Sequence, residues 1–175
     1  MQPELRKGAA WEFDKDGNKA SYDVQGTPLQ EGQTLPDFVL FRGNPDYTVT
    51  SVSLADLPRK MTLLMLVNSV YTPVCRDTAC VVDLREQYFP RDVQVVNVST
   101  DTPFALEHFR QSKDLKSTLF LSDHRTGDFG RAYGALMLPD KLLQRAIIVA
   151  DPDRVIQRVA YFEDQGKTPD LNQFY

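Results

Sequence analysis

Apolar and polar residues alternate in blocks along most of this chain. From Phe38 onward, short apolar runs typical of strands are followed by amphipathic segments typical of helices. This order favours an α/β sandwich over an all-helical or an all-β fold. The predicted strands are 61–67, 93–98, 119–121, 146–150 and 155–161, and the predicted helices are 73–88, 103–111 and 128–133.

Two of these segments carry a specific signal. Residues 61–67 are nearly all apolar, as expected for a central strand that is covered on both faces. Pro73 stands near the first turn of the helix that follows, where a missing N–H costs nothing. The sequence therefore predicts a buried strand that leads through a short loop into a helix.

The two ends of the chain are less regular. Alternating segments at 11–13 and 21–24 flank Asp16 and Gly17, which predicts an N-terminal β-hairpin. We therefore expect an N-terminal extension with this hairpin over residues 1–23 and one domain over residues 24–175. The polar stretch 163–175 is compatible with one final helical turn or with a loose tail.

Composition narrows the class of protein. A chain of 175 residues with 42% hydrophobic residues fits a single globular domain. The net charge of −4 and the lack of a Lys/Arg stripe argue against a nucleic-acid partner. The longest apolar run, at 63–67, is too short to cross a bilayer, and no apolar stretch stands at the N-terminus. We expect a cytoplasmic protein without membrane association.

The chain has two cysteines, Cys75 and Cys80. One closely spaced pair is not the framework of a secreted disulfide scaffold, so we expect these thiols to be chemical rather than architectural. No spacing typical of a zinc site joins them to His108 or His124. The sequence predicts neither a metal nor another cofactor.

Cys75 has the more informative position. The preceding strand ends near Asn68 and the helix begins near Pro73, so Cys75 falls in the first helical turn. Unpaired backbone N–H groups and the positive end of the helix dipole stabilise an anion there, and a thiolate is such an anion. The sequence therefore predicts a nucleophilic thiol at Cys75.

A thiolate that attacks a peroxide needs a donor that orients the peroxide, a cation, and a shield against water. Thr72 offers a hydroxyl and Pro73 a rigid apolar shield. Arg145, directly before the strand 146–150, is the candidate cation, since a strand start can be held rigidly; an ordinary salt-bridging role is the alternative. Arg76 is expected to point to solvent.

These residues resemble those of a known family. Pro-Asp-Phe at 36–38 and Thr-Pro-Val-Cys at 72–75 are similar to peroxiredoxin motifs, and further stretches resemble the thiol peroxidase branch. The resemblance runs from about Tyr22 to Leu171. The further stretches are 101–105 (DTPFA), 121–125 (LSDHR), 129–134 (FGRAYG) and 142–146 (LLQRA).

The resemblance implies a thioredoxin-like fold in which a central mixed sheet is flanked by helices. It implies that Cys75 is the peroxidatic cysteine and that Thr72 and Arg145 activate it. It also implies a homodimer that reduces hydrogen peroxide and organic hydroperoxides and is recycled by thioredoxin.

One position departs from the pattern of thiol peroxidases. Their second, resolving cysteine lies on the helix after the DTPFA-like motif, where this chain has Arg110. The remaining thiol is Cys80, and the Cys-x4-Cys spacing resembles the bacterioferritin-comigratory branch. Five helical residues separate Cα atoms by about 8 to 9 Å, whereas a disulfide tolerates about 7 Å. The first turn must therefore unwind before Cys80 can resolve Cys75.

Several alternatives stay open at this point. Cys80 either resolves Cys75 or packs as a small hydrophobe, in which case an external thiol takes over. A thioredoxin-fold redox sensor or binding protein with little turnover is the second function, and the missing cysteine at Arg110 supports it. A disulfide reductase is disfavoured because Cys-x-x-Cys is absent. Phe104, Phe109, Phe129 and Tyr133 are expected to be core or dimer contacts.

Overall fold

The computed structural model describes residues 5–12, 19–85 and 92–174 of the chain. Eleven strands and three α-helices are found in these residues, together with two short 3-10 helices at Leu54–Asp56 and Leu171–Phe174. No helix in this described part is long and apolar enough to cross a membrane. The strands form two separate sheets.

The elements follow one another along the chain in this order: β1 (Leu5–Glu12), β2 (Lys19–Gln25), β3 (Val39–Gly43), β4 (Val49–Ser53), β5 (Met61–Leu66), α1 (Pro73–Arg85), β6 (Val93–Ser99), α2 (Pro103–Ser112), β7 (Leu119–Ser122), α3 (Asp128–Ala132), β8 (Leu136–Leu138), β9 (Leu142–Leu143), β10 (Ala146–Ala150) and β11 (Ile156–Tyr161).

The larger sheet has seven strands in the order β11-β10-β5-β6-β7-β3-β4. Strands β5, β6 and β7 run parallel, and α1 and α2 are the crossovers between them. Strand β10 pairs antiparallel with β5, and β3 pairs antiparallel with β7, so the sheet is mixed. The carboxyl end of β5 therefore lies beside the amino end of β10, which brings the start of α1 close to Arg145.

The smaller sheet is antiparallel and has the order β1-β2-β8-β9. Strands β1 and β2 pair from Leu5 with Gln25 to Glu12 with Lys19, which confirms the predicted N-terminal hairpin. The connecting loop, including Asp16 and Gly17, lies outside the described residues. The predicted boundary between residues 23 and 24 falls inside β2.

The core has two layers because side chains alternate along the buried strands. On one face, Leu64 and Leu66 of β5 join Val96 and Val98 of β6 in a large cluster that includes Phe129 of α3. On the other face, two smaller clusters lie under α1 and α2. The first contains Leu63, Met65, Val82, Val95, Ile147 and Leu171, and the second contains Val70, Ala79, Leu106, Phe109, Leu115 and Phe120.

Most predicted elements are confirmed within a residue or two. The helix predicted over 73–88 is observed as Pro73–Arg85, and residues 86–91 lie outside the description. At the C-terminus the structure has a final 3-10 turn, in which Leu171 is buried against the core. The pairs β3/β4 and β8/β9 were not delimited by the sequence pattern.

Candidate active site

Cys75 is the third residue of α1, after Pro73 and Val74. The first turn is closed by the backbone N–H of Arg76, which donates to the Thr72 carbonyl over 2.9 Å. The first turn contains no acidic residue. The Cys75 side chain has no exposed surface. The sulfur therefore lies at the positive end of a helix and away from bulk water, where an anion interacts strongly with nearby donors.

Arg145 supplies a cation at this sulfur. Its Nη2 lies 3.1 Å from Cys75 Sγ and 3.5 Å from the side-chain oxygen of Asn68, while Nη1 donates to the Lys167 carbonyl over 2.7 Å. Arg145 is only 2% exposed. The two oxygen acceptors are neutral, so a thiolate at Cys75 would balance the guanidinium charge. These distances thus place the guanidinium against the Cys75 sulfur and two neutral oxygens rather than in a surface salt bridge.

Two amide side chains complete the surroundings of Arg145. Asn68 Nδ2 donates to the Leu143 carbonyl over 2.7 Å and to the side-chain oxygen of Gln165 over 2.9 Å. The same Gln165 oxygen accepts the backbone N–H of Arg145 over 2.8 Å. Sequence reasoning missed both amides. The position of a polar residue at the end of an apolar strand was a signal for Asn68. Gln165 had no such signal, because it lies in a stretch that was compatible with a helical turn or with a loose tail.

The loop between β5 and α1 is held by the carboxylate of Asp101. This carboxylate accepts the Ser69 hydroxyl over 2.8 Å, the backbone N–H of Val70 over 2.9 Å and the Ser99 hydroxyl over 2.8 Å. Asp101 directly precedes Thr102, the N-cap residue of α2. The start of α1 is thus tied to the start of α2 by one charged group, which makes these hydrogen bonds strong.

Thr72 and Pro73 lie where the sequence places them, directly before Cys75. Thr72 is half-buried and its hydroxyl donates to the Ser69 carbonyl over 2.9 Å. Pro73 is exposed and begins α1. The hydroxyl oxygen can still accept a hydrogen bond, which is what an incoming peroxide O–H requires.

An aromatic face lies beside this loop. Tyr71 and Phe104 are 54% and 52% exposed. The Tyr71 hydroxyl donates to the Ala105 carbonyl and lies 3.2 Å from His108 Nδ1. Phe109 lies beneath the Tyr71 ring at 6.0 Å between centroids. Of the four aromatic residues expected to be core or dimer contacts, Phe104 is thus on the surface, and Phe109, Phe129 and Tyr133 are buried.

Arg110, where the resemblance to thiol peroxidases led us to expect a second cysteine, is engaged in an ion pair on α2. Its Nε and Nη2 donate to the two carboxylate oxygens of Glu107, each over 2.8 Å, and Nη1 donates to the Leu115 carbonyl over 3.1 Å. Hydrogen bonding to Arg110 is the main cause that lowers the pKa of Glu107. This bidentate pair gives Arg110 a structural role in place of a thiol.

Cys80 lies on α1 and is partly buried. It packs against the cluster under α1 and α2 that contains Ala79, Leu106 and Phe109. Cys75 and Cys80 are not joined by a disulfide. Because both belong to one continuous helix, the spacing that forbids a disulfide in an intact helix applies here.

The carboxylate of Asp123 lies at the start of α3. It accepts the backbone N–H groups of Phe129 over 3.3 Å and of Gly130 over 2.8 Å. Burial raises the pKa of Asp123 to about 6, against the opposing effect of these two hydrogen bonds. In the described part of the chain, no cluster of three or more His, Cys, Asp or Glu side chains is arranged to hold a metal ion.

The sequence of this chain is similar to those of known proteins over most of its length. The model of the AhpC/TSA family matches residues 32–159. A thiol peroxidase from Staphylococcus aureus (strain COL) is 33% identical over 156 residues, which cover 86% of this chain and 87% of that protein. A thiol peroxidase from Streptococcus parasanguinis is 30% identical over 162 residues, or 89% of this chain and 91% of that protein.

Solved structures show the same fold. A peroxiredoxin-like protein from Aquifex aeolicus superposes with a TM-score of 0.78 at 22% identity, over 98% of this chain and 95% of that chain. A thiol peroxidase from Chromobacterium violaceum superposes with a TM-score of 0.79 at 19% identity, over 95% of this chain and 92% of that chain. These likenesses confirm the predicted thioredoxin-like α/β architecture with its mixed central sheet.

Proposed function

Because the chain belongs to the AhpC/TSA family, we propose that Cys75 is its peroxidatic residue and that it reduces hydrogen peroxide and organic hydroperoxides. The chain is an oxidoreductase of the peroxidase class, as its thiol peroxidase relatives and its peroxiredoxin fold indicate. The observation that carries the residue assignment is the 3.1 Å contact between Arg145 Nη2 and the Cys75 sulfur inside a buried site.

The first half of the reaction occurs at the Cys75 sulfur. The thiolate attacks one peroxide oxygen, so that an S–O bond forms while the O–O bond breaks. The attacked oxygen keeps its proton in the sulfenic acid that forms on the cysteine, and the departing oxygen takes up a proton from solvent and leaves as water or as an alcohol. Arg145 stabilises the charge on the sulfur and on the departing oxygen, and the Thr72 hydroxyl accepts the O–H of the peroxide.

Access to the sulfur follows from the burial of Cys75. Since the side chain has no exposed surface, a peroxide reaches it when neighbouring groups shift. The exposed ring of Pro73 and the half-buried Thr72 form the nearest outer side of the first turn. A small peroxide approaches from this side, and Pro73 shields the sulfur from bulk water.

The second half of the reaction consumes the sulfenic acid. The Cys80 thiolate attacks the Cys75 sulfur, the S–O bond breaks, the departing hydroxyl group takes up a proton from solvent and leaves as water, and a disulfide forms. A dithiol reductant of the thioredoxin type then returns both thiols by thiol–disulfide exchange and is itself oxidised. For Cys80 to reach Cys75, the turn of α1 between them must unwind. If the turn stays closed, an external thiol attacks the sulfenic acid.

A specific observation favours a second function. Arg110 occupies the usual resolving position and is bound to Glu107 in a bidentate pair, while Cys80 packs into an apolar cluster. Both arrangements slow disulfide formation, and a long-lived sulfenic acid suits a redox sensor better than a rapid catalyst. Turnover of peroxide with thioredoxin and its reductase separates the two functions, because only the enzyme gives sustained consumption.

An intact-mass experiment tests the peroxidase proposal. The reduced protein and its Cys80→Ser variant are each treated with one equivalent of hydrogen peroxide. A loss of two hydrogens in the native protein alone identifies Cys80 as the resolving residue, and a gain of one oxygen in both identifies a one-cysteine mechanism. If neither mass changes, and Cys75→Ser behaves like the native protein, the peroxidase proposal is wrong.

Homodimer formation and a cytoplasmic location complete the proposal. The exposed rings of Tyr71 and Phe104 form an aromatic face beside the reactive loop, and aromatic residues are enriched in protein interfaces. A second copy of the chain that covers this face would also shield the entry to Cys75. The acidic balance of the chain agrees with a soluble enzyme that does not bind nucleic acid.

A further inference from the structure

A buried glutamine connects the C-terminal segment to the reactive site. Gln165 is 1% exposed, although Gly166 and Lys167 directly after it are exposed. Its side-chain oxygen accepts two N–H groups, from Asn68 Nδ2 over 2.9 Å and from the backbone of Arg145 over 2.8 Å. Both of these donors belong to residues that contact the Cys75 sulfur or its guanidinium partner.

The amide nitrogen of Gln165 forms hydrogen bonds within the C-terminal segment itself. Gln165 Nε2 donates to the backbone carbonyls of Phe162 and Glu163. These bonds close a turn that presents the Lys167 carbonyl to Arg145 Nη1 at 2.7 Å. The backbone carbonyl of Arg145 in turn accepts the N–H of Phe162 over 2.9 Å. The C-terminal segment therefore holds Arg145 at its backbone and at its guanidinium.

All four hydrogen-bonding positions of the Gln165 amide are used. A glutamine amide has two donor hydrogens and two acceptor lone pairs, and each has a protein partner here. Burying a polar amide is costly unless it is satisfied, so a fully satisfied one specifies a single arrangement of its partners. An apolar side chain of the same size could fill the space, but it could not accept the hydrogen bond that orients the Asn68 amide.

We propose that Gln165 is a positioning residue for the chemistry of Cys75, since it fixes Asn68 and Arg145 in the arrangement that places the guanidinium against the sulfur. This inference rests on the proposed peroxidase function. Gln165 acts through other residues: its amide contacts Asn68, whose oxygen lies 3.9 Å from the Cys75 sulfur, and the backbone of Arg145. The C-terminal segment is thereby part of the reactive site although it is distant from Cys75 in sequence.

Gln165→Met tests the inference, because it preserves most of the side-chain volume and removes all four hydrogen bonds. The second-order rate of Cys75 oxidation by hydrogen peroxide should fall about 10- to 100-fold, the size expected when a catalytic group is displaced by about 1 Å. The pH dependence of this rate, measured in a Cys80→Ser background so that a single thiol reports, should also differ from that of the native protein, since the guanidinium is no longer held against the sulfur. A purely structural role would leave this pH profile in place.

Two control variants separate positioning from general damage. Gln157→Met makes the same chemical change at an exposed glutamine of β11 and should leave the oxidation rate unchanged. Val24→Ala removes packing from the buried cluster in the smaller sheet and lowers stability without touching the site. If Val24→Ala slows oxidation as much as Gln165→Met at matched loss of stability, the positioning role is wrong.

A double-mutant cycle with Asn68→Leu tests the route through Asn68. If Gln165 acts through Asn68, the double variant should be slowed much less than the product of the two single effects. Fully multiplicative losses would overturn this route. Alkylation of Cys75 by iodoacetamide provides a reading that does not depend on peroxide. If iodoacetamide alkylates the native protein rapidly but peroxide does not oxidise it, the peroxidase function is wrong. If peroxide oxidises the native protein and the Gln165→Met variant equally fast, the positioning role is wrong.

Discussion

Arg145 Nη2 donates to the Cys75 sulfur over 3.1 Å, with both side chains almost completely buried. In such surroundings the attraction between a guanidinium and a thiolate is weakened far less by solvent than it would be at the surface. The other contacts of the guanidinium are to the Lys167 carbonyl and the Asn68 amide oxygen, which are neutral. The positive charge of Arg145 is therefore directed at the sulfur.

Replacing Arg145 should remove most of the reactivity of Cys75. For Arg145→Gln we expect the second-order rate with hydrogen peroxide to fall about 100- to 1,000-fold, as when a charge-stabilising donor is removed from an active site. The rate is measured by competition with a haem peroxidase. Arg76→Gln is the matched control, because Arg76 is exposed on the same helix and pairs with Asp77. An Arg145→Gln variant that keeps the native rate would exclude this residue from the reaction.

Returning a cysteine to position 110 should restore the resolving arrangement of the thiol peroxidase branch. We expect Arg110→Cys, made in the Cys80→Ser background, to form a disulfide with Cys75 after one equivalent of peroxide. Peptide mapping under non-reducing conditions detects this bond. Arg110→Ser in the same background removes the ion pair with Glu107 without adding a thiol, so it accounts for the loss of stability. Accumulation of sulfenic acid in both variants would mean that α1 and α2 do not bring the two positions together.

The raised pKa of Asp123 predicts how stability changes with pH. An unfolded Asp has a pKa of about 3.9, and burial raises that of Asp123 to about 6 in the fold. Folding therefore favours the protonated form, so this contribution is fully present below about pH 4 and is lost as the pH rises through about 6. Relative to Asp123→Asn, the native protein should lose about 2 kcal/mol of its free energy of unfolding between pH 4 and 7.

Urea denaturation of both proteins at several pH values measures this difference. The variant also alters a hydrogen bond to the start of α3, which shifts its stability by a similar amount at every pH. Only the change with pH reports on Asp123. Curves that stay parallel for the two proteins would show that the fold does not raise the pKa of Asp123.

The aromatic face beside the reactive loop predicts how copies of the chain associate. Phe104→Asp places a charge on this face and should convert a dimer to a monomer, because a buried unpaired charge is costly at an interface. Light scattering after size-exclusion chromatography measures the mass. Tyr47→Asp is the control, since Tyr47 is 85% exposed in the turn between β3 and β4. A native protein that is already monomeric would contradict the homodimer.

The sequence alone predicted the fold class and the placement of Cys75 in a first helical turn. Apolar runs such as 61–67 and 146–150 are unambiguous because both of their faces are buried in the sheet. The short pairs β3/β4 and β8/β9 lack this signal, since their strands are partly exposed or only two or three residues long. Their positions depend on contacts with distant strands, which no local pattern encodes.

The residues that hydrogen-bond to Arg145 could not be predicted from the sequence either. Arg145 itself could be chosen because it precedes a buried strand. Gln165 lies in a stretch of polar residues with glycine and proline, where local composition indicates solvent exposure. Its burial is a tertiary effect, because the chain after β11 folds back against Arg145 at the amino end of β10. The structure thus brings Gln165 and the Lys167 carbonyl into contact with Arg145, which the sequence had grouped with Thr72, Pro73 and Cys75 as candidate site residues.

Asp101 gives the reactive loop a fixed pivot. Its carboxylate holds Ser69 and Val70 independently of the backbone hydrogen bonds inside α1. Opening of the turn between Cys75 and Cys80 would break those internal bonds and leave the anchor at residues 69 and 70 in place. The sulfur would then move on a short segment fixed at Val70, which would keep it near Arg145 for its return after reduction.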